Sequence, residues 1–223
     1  MPLYRQATDF QYLDEDSLAA WRAIPPAVAS DCMNRAQTMA SSMKPLAPGM
    51  RLCAQARTVA CMVGDNGPIH AAVRQIQPGH GEVLVIAAGG YGDTAVWGGL
   101  LTQAAMARGL AGVVVDGAVR DSAEIRTLGF PCFASAIVPA GPHKGFGGTL
   151  DGSVSCAGCV LRPGDLVLGD DDGIAVVPLE RQAEVLAAAQ KKIAQEEDAL
   201  RRLTEGESLA DQFGVPEPMV IDS

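Results

Sequence analysis

The chain of 223 residues predicts an α/β fold in one domain, on three observations. Two apolar runs, Glu82–Ala87 and Val113–Val115, are continuous rather than alternating, as in strands buried on both faces. An alanine-rich helical segment that opens on paired glycines lies between them, so strand and helix alternate. The composition is 48% hydrophobic and only 4% aromatic with 25 glycines, which implies an interior of small and β-branched residues in close backbone contact. The domain is expected to span residues 1–223, with a core over about 30–205 and a C-terminal arm over about 206–223.

The same composition excludes some partners. A net charge of -9 and a pI near 4.7 leave no general basic face to displace counterions from phosphates, so no nucleic-acid partner is expected. No apolar run is long enough to cross a bilayer, and the N-terminal stretch MPLYRQATDF lacks the apolar core of a signal peptide. The expectation is a cytoplasmic protein with no membrane partner. The six cysteines are then reduced thiols. Cys156 and Cys159 have CxxC spacing, but no second pair or nearby histidine completes a tetrahedral set. They lie inside a segment read as a single strand, SVSCAGCVL, and are taken as small core residues.

In chain order, residues 16–40 read as two helical pieces broken at Pro25-Pro26, the second capped by Ser30 or Asp31. Asp31 and Arg35 would share a face of that piece, either as a surface ion pair or at the rim of a site. Met50–Val63 alternates as a half-buried strand does. Gly64–Pro68 is a turn, and a short helix follows over Ile69–Gln75 with His70 at its start, structural or exposed rather than catalytic. Pro78-Gly79 introduces the first buried strand. Gly89–Thr94 leads into a helix capped by Asp93 or Thr94, presenting Val96, Leu100, Ala104 and Ala107 on one side, with Gly98 and Gly99 in its first turns. Each glycine costs such a helix about 1 kcal/mol relative to alanine. Their presence is easier to understand if something approaches the backbone there.

The stretch Gly98–Asp121, GGLLTQAAMARGLAGVVVDGAVRD, organises the chain by pairing a helix start with a strand end. Asp121 either caps the helix over Ser122–Leu128, with Glu124 completing a capping box, or belongs to a site. Phe130–Ser135 is a strand and Gly141–Gly152 a loop whose His143 and Lys144 read as solvated. Ser153–Pro178 is strand, turn, strand, turn, strand. Its three consecutive aspartates at 170–172 lack the remaining positions of a calcium loop and mark a tight hairpin. Leu179–Glu205 is a helix with a seam of Leu186, Ala189, Ile193, Leu200 and Leu203. Glu196 falls on that seam, so it either meets a partner at a subunit interface or site or is a solvated interruption.

Three segments, GGLLTQAAMARGLAGVVVDGAVRD, the turn Gly64–Asn66 and VLRPGDLVLGDDDGIAVVP, resemble the RraA-like family, which includes 4-hydroxy-4-methyl-2-oxoglutarate / 4-carboxy-4-hydroxy-2-oxoadipate aldolases. The resemblance covers about Ser30 to Glu205 and implies a layered β-barrel-like core of swivelling β/β/α type flanked by helices. The C-terminal helix would lie at a subunit interface of a homotrimer or hexamer. The implied activity is divalent-metal-dependent cleavage of 4-hydroxy-2-oxo di- or tricarboxylic acids to pyruvate and a 2-oxo acid, with oxaloacetate decarboxylation through the same enolate. The family also contains non-catalytic regulators that bind ribonuclease E.

Carried onto this chain, the resemblance implies that Asp121 binds Mg²⁺ or Mn²⁺ and Arg120 contacts the pyruvyl keto oxygen. The backbone of Gly98, Gly99, Leu100 and Leu101 would hold the carboxylate of the 2-oxo acid substrate, and Glu196 would reach in from a neighbouring subunit. These residue types suit the chemistry. A hard cation draws electrons as an enolate forms, a guanidinium stabilises the oxygen that becomes negative, and a helix N-terminus takes a carboxylate. Family aldolases place an acid twenty-one positions before the arginine, where this chain has Gly99.

Overall fold

The computed structural model describes residues 2–77 and 79–221; Pro78, read as opening the first buried strand, lies outside them. In order the elements are β1 (Leu3–Arg5), α1 (Glu15–Arg22), α2 (Pro26–Cys32), β2 (Lys44–Pro45), β3 (Leu52–Cys61), α3 (Gly67–Gln75), β4 (Val83–Trp97) and α4 (Gly99–Ala107). There follow β5 (Gly112–Val119), α5 (Ser122–Leu128), β6 (Cys132–Ile137), β7 (Gly148–Leu150), β8 (Val154–Cys156), β9 (Cys159–Leu161), β10 (Leu166–Asp170) and β11 (Gly173–Val177). A 3₁₀ turn over Leu179–Arg181 leads into α6 (Gln182–Thr204) and α7 (Leu209–Gln212).

The fold is mixed α/β, with a large sheet flanked by helices. Its main path runs β1-β7-β3-β4-β5-β6-β2, and β10 and β11 join through β3. β3 serves three neighbours along its length: Leu52–Gln55 pairs antiparallel with β10, Ala56–Ala60 pairs parallel with β4, and Val59–Cys61 pairs antiparallel with β7 on the other edge. That sharing folds the sheet back on itself into layers.

Alternation along the central strands assigns the layers. Leu84, Ile86, Val113 and Val115 face α3, α4 and α5 through Ile69, Val73, Leu101, Ala105 and Ile125. Val83, Val85, Val114 and Phe133 face Val154, Leu161, Val167, Ile174 and Val176 of the inner strands. Beyond these, Leu166, Leu168 and Val177 pack on Trp21, Val28, Ala29, Val185 and Ala189 of α1, α2 and α6. Both central strands are therefore buried on two faces, which is why their sequences are unbroken apolar runs.

Several local expectations are corrected. α2 begins at Pro26 and ends where the second helical piece was expected to start: Pro25 is its N-cap, and Asn34, Arg35 and Gln37 turn left-handed immediately after it. Arg35 is thus outside the helix, 3.9 Å from Asp31, whose other oxygen is closer to Lys192 at 3.1 Å. β3 is buried on both faces rather than one, because its polar Gln55 and Arg57 are themselves covered. Gly89–Thr94 continues β4 instead of opening a helix, absorbing its glycines as bulges against β5. Val96 is accordingly on a strand and Leu100 is 82% exposed.

SVSCAGCVL is a hairpin, not one strand. Cys156 pairs with Cys159 across Ala157 (φ 47) and Gly158 (φ 81), the left-handed pair that a tight hairpin turn requires. Burial pushes both thiols up, Cys159 to about 11, as inert core cysteines. The three aspartates do form a hairpin, with Asp170 opposite Gly173. The loop over 141–152 contains the short β7. The arm is not extended from Gly206: α7 turns back and Gln212 Nε2 bonds Ala199 O at 3.2 Å, leaving 215–221 exposed.

A buried polar cluster ties the N-terminal segment to the sheet. Arg57 donates to both oxygens of Asp151 (2.7 and 2.6 Å) and to Glu82 (3.2 Å). Arg5 reaches the same Asp151 at 2.7 Å, and the Tyr12 hydroxyl donates to Glu82 at 2.7 Å. Burial opposes charge on Arg57, yet its two carboxylates outweigh it and hold the group above its ordinary value. Burial, and then the bond to Glu82, push Tyr12 up to about 12.

Candidate functional site

The parallel pairing of β4 with β5 runs to Trp97 opposite Val119, and Arg120 N–H donates to Trp97 O at 3.0 Å. The residues that leave these two strands, Gly98 on one and Arg120-Asp121 on the other, therefore emerge side by side at the carboxyl ends of the strands. This is where ligands bind in open α/β sheets. A cavity of about 160 Å³ opens there, lined by Asn66, His70, Ala95–Gly98, Leu100, Leu101, Arg120, Asp121, Pro142 and Lys144.

Asp121 is the pivot. It occupies the N-cap position of α5 but caps nothing with its side chain, and its φ of 57° is a left-handed conformation that aspartate tolerates better than most residues. That backbone turns the carboxylate towards α4, where Oδ2 accepts the Gly99 N–H at 3.0 Å and lies 3.7 Å from Arg120 Nε. The expected capping box does not form. Glu124 instead accepts from Gln103 Nε2 at 2.7 Å.

The paired glycines have a definite reason. A Cβ on Gly98 would stand 2.6 Å from Asp121 Oδ2 and 3.1 Å from Arg120 Cγ. A Cβ on Gly99 would stand 2.2 Å from Glu124 Oε2. The groups that approach this backbone are the chain's own carboxylates. Glu124 thus fills the space that a side chain at position 99 would take, a relation that spans two helices and has no local signature in the sequence.

Of the residues expected at the site, Gly98, Leu100, Leu101, Arg120 and Asp121 line one cavity. Gly99 lies behind it with its N–H already used, so the open N–H groups of the first turn of α4 are those of Leu100 and Leu101. Glu196 does not line this cavity. On α6 it is half exposed, 3.2 Å from Lys192, which it shares with Asp31.

His70, read from the sequence as structural or exposed, and Lys144, read as solvated, are both exposed, and both stand on the rim of the cavity. Burial, with Lys144 adding to it, pushes His70 below the ordinary histidine value, so the imidazole is neutral at pH 7. The loop that bears Lys144 is held by Asp65, fully buried, whose oxygens accept N–H groups of Gly67 (2.9 Å), Gly145 (2.7 Å) and Phe146 (3.1 Å). His143 adds a backbone bridge, donating to Gly64 O (2.8 Å) and accepting from Asn66 N–H (3.0 Å).

Burial raises the Asp65 carboxyl, but the three N–H groups and nearby His143 overcome this and hold it below the usual aspartate value. A depressed carboxyl stabilises the fold above its unfolded value and loses that contribution as pH falls through the folded one. Asp65→Asn is therefore expected to cost about 1–3 kcal/mol at pH 7 and to flatten the loss of stability below about pH 4. Urea unfolding across pH 2–7 measures both effects.

A larger cavity of about 530 Å³ lies at the opposite, amino-terminal ends of the strands, among Leu18, Trp21, Arg22, Arg51, Cys53 and His80. The smaller cavity is the better candidate because it lies at the carboxyl ends of the parallel strands, where the N-terminus of α4 and the Arg120–Asp121 pair come together. Among the described residues no three His, Cys, Asp or Glu side chains are grouped to hold a metal. The one carboxylate lining the cavity, Asp121, suits a hard divalent cation, which takes one or two carboxylates and completes its shell with water and ligand oxygens, and not a closed zinc site. No described helix is long and apolar enough to cross a membrane.

Compared with known proteins, residues 26–176 match the family model described as "RraA-like: Aldolase/RraA". A Halalkalibacterium halodurans protein named "Putative 4-hydroxy-4-methyl-2-oxoglutarate aldolase" is 35% identical over 190 residues, 85% of this chain and 90% of that one. A Thermus thermophilus protein named "4-hydroxy-4-methyl-2-oxoglutarate aldolase" is 38% identical over 111 residues, 49% of this chain and 68% of its own. Among solved structures, Streptomyces coelicolor RraAS2, described as an unusual member of the RNase ES inhibitor RraA family, superposes with a TM-score of 0.76 at 28% identity. The match covers 85% of this chain and 98% of that one.

Proposed function

Because the chain belongs to the RraA-like family, we propose that it is a divalent-metal-dependent carbon–carbon lyase that cleaves 4-hydroxy-2-oxo di- or tricarboxylic acids to pyruvate and a second 2-oxo acid, and decarboxylates oxaloacetate. The observation that supports this best is the left-handed Asp121, fixed by the Gly99 N–H at the lip of a pocket that also presents Arg120 and the open N-terminus of α4.

Asp121 would hold Mg²⁺ or Mn²⁺, which when bound supplies Lewis-acid polarisation of the substrate's keto oxygen. The N–H groups of Leu100 and Leu101 orient the pyruvyl carboxylate. Arg120 stands where the keto oxygen gains charge as the C3–C4 bond breaks and its electron pair passes into the enolate. The C4 hydroxyl gives up its proton as it becomes the carbonyl of the leaving acid, and the enolate takes one at C3 to give pyruvate. Oxaloacetate loses carbon dioxide to the same enolate. In a homotrimer or hexamer, Glu196 of the partner subunit would add an acid to this proton traffic.

Purified protein is expected to release pyruvate from 4-hydroxy-4-methyl-2-oxoglutarate and from oxaloacetate in a coupled assay, and EDTA is expected to stop both. Turnover that persists without metal would sink the reading. A second reading, a non-catalytic regulator of ribonuclease E, draws on the net charge of -9 and on the description of the Streptomyces neighbour. Salt-sensitive capture of ribonuclease E with no pyruvate release would favour it.

A further inference from the structure

We infer that the larger cavity, at the amino-terminal ends of the strands, is a second binding site, which takes a monocarboxylate with an apolar body and holds its charge on Arg51. Its volume of about 530 Å³ is that of a small-molecule pocket. It shares no lining residue with the cavity at Arg120 and Asp121. Its floor is apolar: Trp21, Ile24, Leu52 and Leu168 are each at most 5% exposed. An alkyl or aryl group that displaces water from that floor gains the burial of its own apolar surface.

The charges in the lining select the other end of the ligand. Arg22 donates to Glu15 at 2.5 Å, so those two neutralise each other. Arg51 has no carboxylate within 4.0 Å among the described residues, in a chain with 26 acidic and 17 basic side chains. Its free guanidinium fits a carboxylate through two parallel hydrogen bonds. A phosphate dianion is the poorer match, because Glu15 in the same lining repels the second charge. The walls are fixed in advance. Arg51 directly precedes Leu52, which pairs with Gly169 of β10. The segment Gly79–Gly81 is held where His80 stacks on Tyr12, ring centroids 3.8 Å apart, and the Tyr12 hydroxyl is tied to Glu82. Walls already in place lose little freedom when a ligand arrives.

The test is calorimetric titration of the full chain with octanoate, acetate and octan-1-ol. Octanoate is expected to bind at least about 100-fold more tightly than acetate, through burial of its longer chain. It is expected to bind about 10- to 100-fold more tightly than octan-1-ol, the worth of a charge-assisted hydrogen bond. Arg51 is exposed, so Arg51→Met should leave the thermal melt unchanged while bringing octanoate and octan-1-ol to within about twofold of each other. Arg120→Met, in the other cavity, should leave the octanoate affinity within about twofold of the wild type. No binding of octanoate, or a preference over the alcohol that survives in Arg51→Met, would overturn the assignment. So would an octanoate affinity lost in Arg120→Met, which would put the carboxylate in the smaller cavity. No arm of the test reads pyruvate release, so its outcome stands apart from that of the lyase reading.

Discussion

Asp121→Asn is expected to lower pyruvate release by at least about 10²-fold while leaving the fold intact. Asparagine adopts the left-handed backbone as readily as aspartate, and its side-chain oxygen still accepts the Gly99 N–H, so only the charge is removed. Asp121→Ala confounds two effects, because alanine at φ 57° adds about 1–2 kcal/mol of backbone strain to the loss of the ligand. Pyruvate-release kinetics should therefore be paired with Mn²⁺ titration and a thermal melt of each variant. Full activity in Asp121→Asn would remove this residue from the metal site.

The second large effect concerns Glu124. Truncating it to alanine is expected to reduce activity about 10- to 100-fold, the size of effect seen when a group supporting a metal site is lost. Adding Gly99→Asp to that variant should recover much of the deficit, since the new carboxylate enters the space that Glu124 vacates. In the otherwise wild-type chain Gly99→Asp should instead impair activity, because two carboxylates would compete for one position next to Asp121. The two substitutions should thus be non-additive by about 1 kcal/mol or more in a double-mutant cycle on kcat/KM. Additive effects would show that the two positions do not share a role.

What the sequence disclosed about the site follows from how local each feature is. Val113–Val115 was legible as a buried strand because both its faces are covered. The helix over Ser122–Leu128 and the hairpin at Asp170–Gly173 were legible because a few neighbouring residues decide them. The extension of β4 through Gly89–Trp97 was not, since its glycines resemble a turn until β5 pairs with them. The placing of Lys144 depends on Asp65, nearly eighty residues earlier, and that of Glu124 on Gln103. Such relations exist only after the layers assemble. The reading of Asp121 as a helix cap failed for a geometric reason, because its left-handed backbone turns the carboxylate away from its own helix.

The cluster around Arg57 also reaches beyond the segment that the family model matches. The family match starts at residue 26, yet Arg5 and Tyr12 are partners of Asp151 and Glu82 in the interior. A chain trimmed to the matched segment would keep Arg57 and its two acids but lose their outer partners, opening a charged trio to solvent. The segment matched by the family model is therefore shorter than the physical domain, and the first strand and the segment leading to α1 serve as a clasp over its buried ion cluster.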